Sequence, residues 1–132
     1  MPGQRYTPVE MIAKLVSFDT TSRDSNLPLI DFVADYLKGH GIASHRIPDA
    51  TGKKANLYAT IGPKDVPGIV LSGHTDVVPV DGQPWVTDPF KVVEKDGRLY
   101  GRGTTDMKSF SAIGLSLVPE FLKTPLKTPI QG

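Results

Sequence analysis

The sequence predicts an α/β fold, with helices and strands following one another along a single chain. Three observations carry this reading. Two helical stripes open the chain. After Gly41 the apolar period changes to that of strands. A third helical stripe near Thr104 then leads into a strand-like segment at Lys127–Ile130.

The elements follow in order. Thr7-Pro8-Val9-Glu10 is a capping box with proline at the first helical position. Met11, Ile12, Leu15, Val16 and Phe18 continue it as a stripe, and the polar run Asp19 to Asn26 breaks it. Asn26 is placed to cap a second helix that tolerates Pro28 in its first turn. Ile30, Val33, Ala34 and Leu37 share one face there, and Gly39 and Gly41 supply the stop. Ile42 to Ile47 reads as a strand, Pro48 to Lys53 as a turn, and Asn56 to Ile61 as a second strand ended by Gly62-Pro63. Ile69-Val70-Leu71 is an apolar run without alternation, which predicts a strand covered on both faces. Asp96-Gly97, between Lys91–Glu94 and Arg98–Tyr100, is a strong hairpin signal. The last helix is predicted to start near Thr104–Asp106, with Met107, Phe110, Ile113, Gly114 and Leu117 facing the core. Pro119 ends or kinks it.

Composition bounds the function. The 132 residues make one domain or a piece of a larger one, and suffice for a real core; a folded body of this size would expose about 6,800 Å². Cysteine is absent, so disulfide frameworks, thiol catalysis and cysteine zinc sites are excluded. Fifteen Lys+Arg against fourteen Asp+Glu leave a net charge of +1, with no electrostatic footprint for nucleic acid or a membrane surface. The N-terminal residues lack the apolar run of a secretory signal, so the expected compartment is the cytosol.

Two segments can carry chemistry. The first is Ser72-Gly73-His74-Thr75-Asp76, at the carboxyl end of the Ile69–Leu71 strand, where α/β sheets place ligands. Residues two apart in extended chain project to one side, so His74 and Asp76 point together. The carboxylate can hold one ring N–H and leave the other nitrogen for a metal, or the two can form a surface pair. The second is Gly101-Arg102-Gly103-Thr104-Thr105-Asp106-Met107-Lys108. Asp106 there either caps the helix, its commonest role, or coordinates metal with both oxygens. His40 is explained by a helix C-terminus and His45 by a strand edge. Trp85 reads better as a core residue than as a pocket wall. Neither a phosphate loop nor a Gly-x-Ser-x-Gly elbow is present.

Taken together, Ser-Gly-His-Thr-Asp-Val-Val-Pro at 72–79, Trp85, Asp88-Pro89-Phe90, Asp96 to Gly103 and Asp106-Met107-Lys108 resemble the M20 metallopeptidase family in order and spacing. The resemblance runs from about Tyr6 to Ile130. Phe18 to Pro28, Pro119 to Leu122 and Leu126 to Ile130 look most like its acetylornithine deacetylase branch.

The resemblance implies the N-terminal part of a three-layer αβα zinc-peptidase-like catalytic domain. It implies His74 as a ligand through imidazole and Asp76 as the residue that orients it. It implies Asp106 as a bridge between two zinc ions, for which cobalt can substitute, with the peptide bond after Asp106 often cis. The implied chemistry is hydrolysis of N-acetyl-ornithine to ornithine and acetate, in arginine biosynthesis, with a small-molecule N-acyl amino acid as partner and a homodimer in complete relatives. The alternatives are a succinyl-diaminopimelate-type desuccinylase and a non-catalytic fragment. Ser109 departs from the family's usual glycine. The family's general-base glutamate, its remaining ligands and its dimerisation lid have no counterpart up to Ile130. Residues 1–132 are therefore expected to be an incomplete catalytic domain, inactive alone.

Overall fold

The computed structural model describes residues 3–132. Helix α1 spans Pro8–Val16 and α2 spans Leu27–Gly39. Strands β1 (Ser44–Pro48), β2 (Ala55–Ile61) and β3 (Ile69–Val70) follow, then the hairpin β4 (Val93–Lys95) and β5 (Arg98–Tyr100). Helices α3 (Lys108–Ser116) and α4 (Val118–Phe121) precede β6 (Ile130–Gln131). The main sheet has the order β1-β2-β6-β3. β1 and β2 are antiparallel, with Ser44 opposite Ala59 and Pro48 opposite Ala55. β6 enters between β2 and β3, antiparallel to the first and parallel to the second, and Ile130 lies opposite both Ile61 and Ile69.

Local chemistry explains the first helix. The Thr7 hydroxyl accepts from Glu10 N at 3.1 Å, and Glu10 Oε1 accepts from Thr7 N at 2.9 Å. Those bonds hold the Glu10 carboxyl below the usual range. Met11, Ile12, Leu15 and Val16 are all buried. They join Leu29, Ile30, Val33, Tyr36 and Leu37 of α2, with Ala112 and Val118, in one core.

Asn26 stands at the start of α2 without capping it through its side chain. Its amide spans to β2 instead, donating to Ala55 O at 2.8 Å and accepting from Ala55 N at 3.0 Å. The first strand starts at Ser44, later than predicted, because Ile42 N still donates to Leu37 O and closes the helix. The hairpin forms as its sequence predicts: Asp96 and Gly97 take φ of 54° and 74°, the paired left-handed conformations of a type I′ turn.

Two expectations are corrected. The strand at Ile69–Leu71 is not covered on both faces, since Ile69 is 65% and Val70 55% exposed. It is an edge, paired among the described residues with β6 alone. The face that α3 buries is that of Lys108 and Ala112, with Leu115 partly buried, while Phe110, Ile113 and Leu117 are exposed. Contact with α1 selects that face. Pro119 ends α3 as expected: it has no N–H to give Leu115 O, which takes the Tyr36 hydroxyl instead, and the helix stops at Ser116. The chain resumes as α4, in whose first turn the missing N–H costs nothing.

The described residues expose 8241 Å², well above the area expected of a compact body this size. A groove of about 830 Å³ lies between the helices and the sheet, lined by Leu29, Val33, Leu57, Leu71, Leu115 and Val118 among others.

The β3–β6 pairing depends on one glycine. A Cβ on Gly68 would lie 2.2 Å from Pro129 O and 2.6 Å from Pro129 Cγ. Pro129 is fully buried and its carbonyl accepts from Ile69 N at 3.1 Å. Gly68→Ala is expected to lower stability by about 1–3 kcal/mol through this overpacking, measured by urea unfolding. A change within a few tenths would show that β3 shifts freely.

Candidate active site

The site forms where two loops meet. One follows β3 and carries His74 and Asp76. The other leaves the β4–β5 hairpin and carries Gly101 to Asp106. Together they line a cleft of about 200 Å³ that also includes Val77 and Val78. His74 lies between two carboxylates. Its Nε2 is 3.0 Å from Asp106 Oδ1, and its Nδ1 is 3.1 Å from both Asp76 Oδ1 and the Asp76 carbonyl. The partial desolvation of the imidazole opposes its charged form. The bonds to the Asp76 backbone and to Asp106, with the charges of both carboxylates, outweigh that and raise its pKa.

Asp106 does not cap the helix. Met107 occupies the cap position without a side-chain bond, and Asp106 reaches across the cleft, 82% exposed, to His74. The Asp106–Met107 peptide bond is cis. The Ser109 hydroxyl donates to Thr104 O.

Lys108 is wholly buried. Its Nζ donates to Phe18 O at 2.8 Å and its backbone N to Gly103 O at 2.8 Å. Desolvation pushes its pKa down to about 8, and the charge of Asp19 only partly offsets this. Opposite it, residues 18–22 run along the His74 loop. Val77 N donates to Thr20 O at 3.1 Å, Ser22 N to Val77 O at 3.0 Å, and the Thr20 hydroxyl to Thr75 O. Thr20 and Thr21 are each 2% exposed.

Of the residues expected to matter, the fold brings His74, Asp76 and Asp106 together. It leaves His40 and His45 elsewhere: His40 donates to Gln4 O at 2.8 Å, and His45 lies opposite Tyr58 on β1. Trp85 is not a core residue. It is half-buried, under the Arg102 guanidinium at 5.4 Å, and its indole N–H donates to Gln83 Oε1, which also accepts from Arg102. Lys108 and Ser22 were not among the candidates. The Ala112 and Leu115 spacing would have placed Lys108 on a buried face, whereas nothing local marks Ser22.

Residues 70–131 match the model of peptidase family M20/M25/M40, and this stretch contains His74, Asp76 and Asp106. The chain is similar to the M20 family. Similarity extends further toward the N-terminus. An acetylornithine deacetylase of Pasteurella multocida (strain Pm70) is 39% identical over 129 residues, covering 97% of this chain and 34% of the relative. One from Shigella sonnei (strain Ss046) is 43% identical over 108 residues, covering 80% and 28%. The chain thus spans about a third of the length of the curated relatives it matches. Human carnosine dipeptidase 1 superposes with a TM-score of 0.77 at 28% identity, over 94% of this chain and 30% of that one. The M20 metallo-carboxypeptidase Sso-CP2 of Sulfolobus solfataricus gives 0.74 at 18% identity, over 96% and 30%, and shows the fold alone. The chain is mixed α/β, with the fold of part of the catalytic domain of these metallopeptidases. None of its described helices is long and apolar enough to cross a membrane.

Proposed function

We propose that residues 1–132 are the N-terminal part of an M20 amide-hydrolase catalytic domain whose substrate is an N-acyl amino acid, most like N-acetyl-ornithine. The observation that carries this is the 3.0 Å approach of His74 Nε2 to Asp106 Oδ1, from loops 32 residues apart. A tetrahedral ion with ligand bonds of about 2.0–2.1 Å keeps neighbouring donors roughly 3.3 Å apart. The two side chains therefore fit adjacent positions on one ion, and both are reachable from solvent. They fit part of a site. Among the described residues no group of three or more side chains is arranged to hold an ion, whereas zinc sites use three or four protein ligands.

In this reading His74 would hold zinc through Nε2 and Asp106 through its carboxylate, shared between two ions. Asp76 keeps the Nδ1 proton and the ring orientation fixed, leaving Nε2 as the donor. A bound divalent ion would acidify water and polarise the acyl carbonyl. The remaining ligands, the general-base glutamate and the dimerisation lid belong, in this reading, to the part of the relatives that this chain does not span.

Equilibrium dialysis against zinc tests the reading. The chain is expected to hold one ion weakly. His74→Ala and Asp106→Ala are expected to abolish that binding, and Asp76→Ala to weaken it about 10–100-fold. Zinc content unaffected by both His74→Ala and Asp106→Ala would overturn it.

A further inference from the structure

The Asp76 carboxylate has a second partner. The Ser22 hydroxyl lies 2.9 Å from Asp76 Oδ2, while Oδ1 faces His74 Nδ1 at 3.1 Å. A serine hydroxyl has one hydrogen to give. Its other neighbour, Val77 O at 3.2 Å, already accepts from Ser22 N. The carboxylate is nearer and charged, so it takes the hydrogen.

The hydroxyl is held by backbone rather than by its own side chain. Thr21 forms a parallel bridge with Val77, and the neighbouring bonds of Thr20 and Ser22 fasten the segment to residues 75–77 on both sides. The contacts then run from Ser22 to Asp76, to His74, to Asp106. With both oxygens engaged, the Asp76 side chain has one orientation. With Oδ2 free, it can turn away from His74, which then keeps only the Asp76 carbonyl as its Nδ1 acceptor.

We infer that Ser22 is a positioning residue, whose hydroxyl fixes the Asp76 carboxylate and through it the His74 imidazole. The consequence for zinc rests on the function proposed above; the consequence for the Asp76 side chain does not.

The test uses the 132-residue chain with Ser22 as found, Ser22→Ala and Ser22→Thr. Three-bond couplings from Asp76 Cγ to its backbone N and C′ report χ1 without any metal. The unchanged chain and Ser22→Thr are expected to give the values of a single rotamer, and Ser22→Ala those of averaging rotamers. Zinc affinity is expected to fall about 3–10-fold in Ser22→Ala and to return in Ser22→Thr. Unchanged Asp76 couplings in folded Ser22→Ala would overturn the inference. Unfolding of Ser22→Ala beside a folded Ser22→Thr would also overturn it, because the hydroxyl would then be holding the segment rather than the carboxylate. If zinc binding ignores His74→Ala, the functional reading fails while the couplings still decide the role of Ser22.

Discussion

Lys108→Ala is expected to cost about 2–5 kcal/mol of stability, the range for emptying a well-packed buried position. The side chain has no exposed surface, and its ammonium is the donor to Phe18 O. Removing it opens a cavity between α1 and α3 and leaves a carbonyl without its partner. Lys108→Met keeps most of the volume and should lose less. The pH dependence separates charge from packing. The folded chain releases the Lys108 proton near pH 8, whereas the unfolded chain holds it to about 10.5. Between those values the unfolded state binds more protons, so stability rises with pH, by up to about 3 kcal/mol. Below pH 8 both states are protonated and the full desolvation penalty is present. Urea unfolding at pH 7.5 and pH 10 should show the rise in the unchanged chain and its loss in Lys108→Met. Parallel curves in the two proteins would mean that the ammonium is better solvated than its burial implies.

Assayed with zinc or cobalt, the 132-residue chain is expected to release no acetate from N-acetyl-ornithine. The cleft contains two carboxylates, Asp76 and Asp106, and both face His74. In the proposed site Asp106 would hold the ion and Asp76 the imidazole, which leaves no carboxylate to take the proton of an attacking water, a contribution of about 10²–10⁴-fold to rate. Two donors also hold less metal than three or four, which compounds the loss. Metal-dependent turnover abolished by His74→Ala would refute the expectation. The search for a base would then turn to Asp88, Glu94 and Glu120, none of which lines the cleft.

What the sequence made legible was local. The Thr7–Glu10 box and the Asp96-Gly97 turn are determined by residues within four positions of each other, and both form as read. Burial of Ile69 and Val70 was not legible in the same way. An apolar run has the composition of a covered strand, but its neighbours decide whether it is covered, and among the described residues β6 is its sole strand partner. The α3 stripe failed for a related reason. Two faces of that helix are apolar, and the lysine on one of them hid the face that α1 selects. At the site, the pairing of His74 with Asp76 follows from their spacing. The meeting of His74 and Asp106 does not, because a whole hairpin separates them and only the fold closes that distance. Ser22 and Val77 are paired across 55 residues by backbone bonds, which leave no side-chain signature to read.

The position of β6 also dictates an order of assembly. The β1–β2 hairpin closes across a short turn and can form as soon as residue 61 is made. Every other pairing in the main sheet waits for Ile130 and Gln131, which must return across roughly 60–70 residues of chain, with the corresponding loop-closure entropy. The last residue takes part as well: Gly132 exchanges two backbone hydrogen bonds with Ala59, at 2.6 and 3.0 Å. During synthesis β2 and β3 therefore exist as two unjoined edges for most of the time the ribosome needs to add the second half of the sequence. Ile69 and Val70 are apolar strand residues with no sheet to join throughout that interval, a template for pairing with other chains. Once β6 is in place, that exposure narrows to the outer edge of β3.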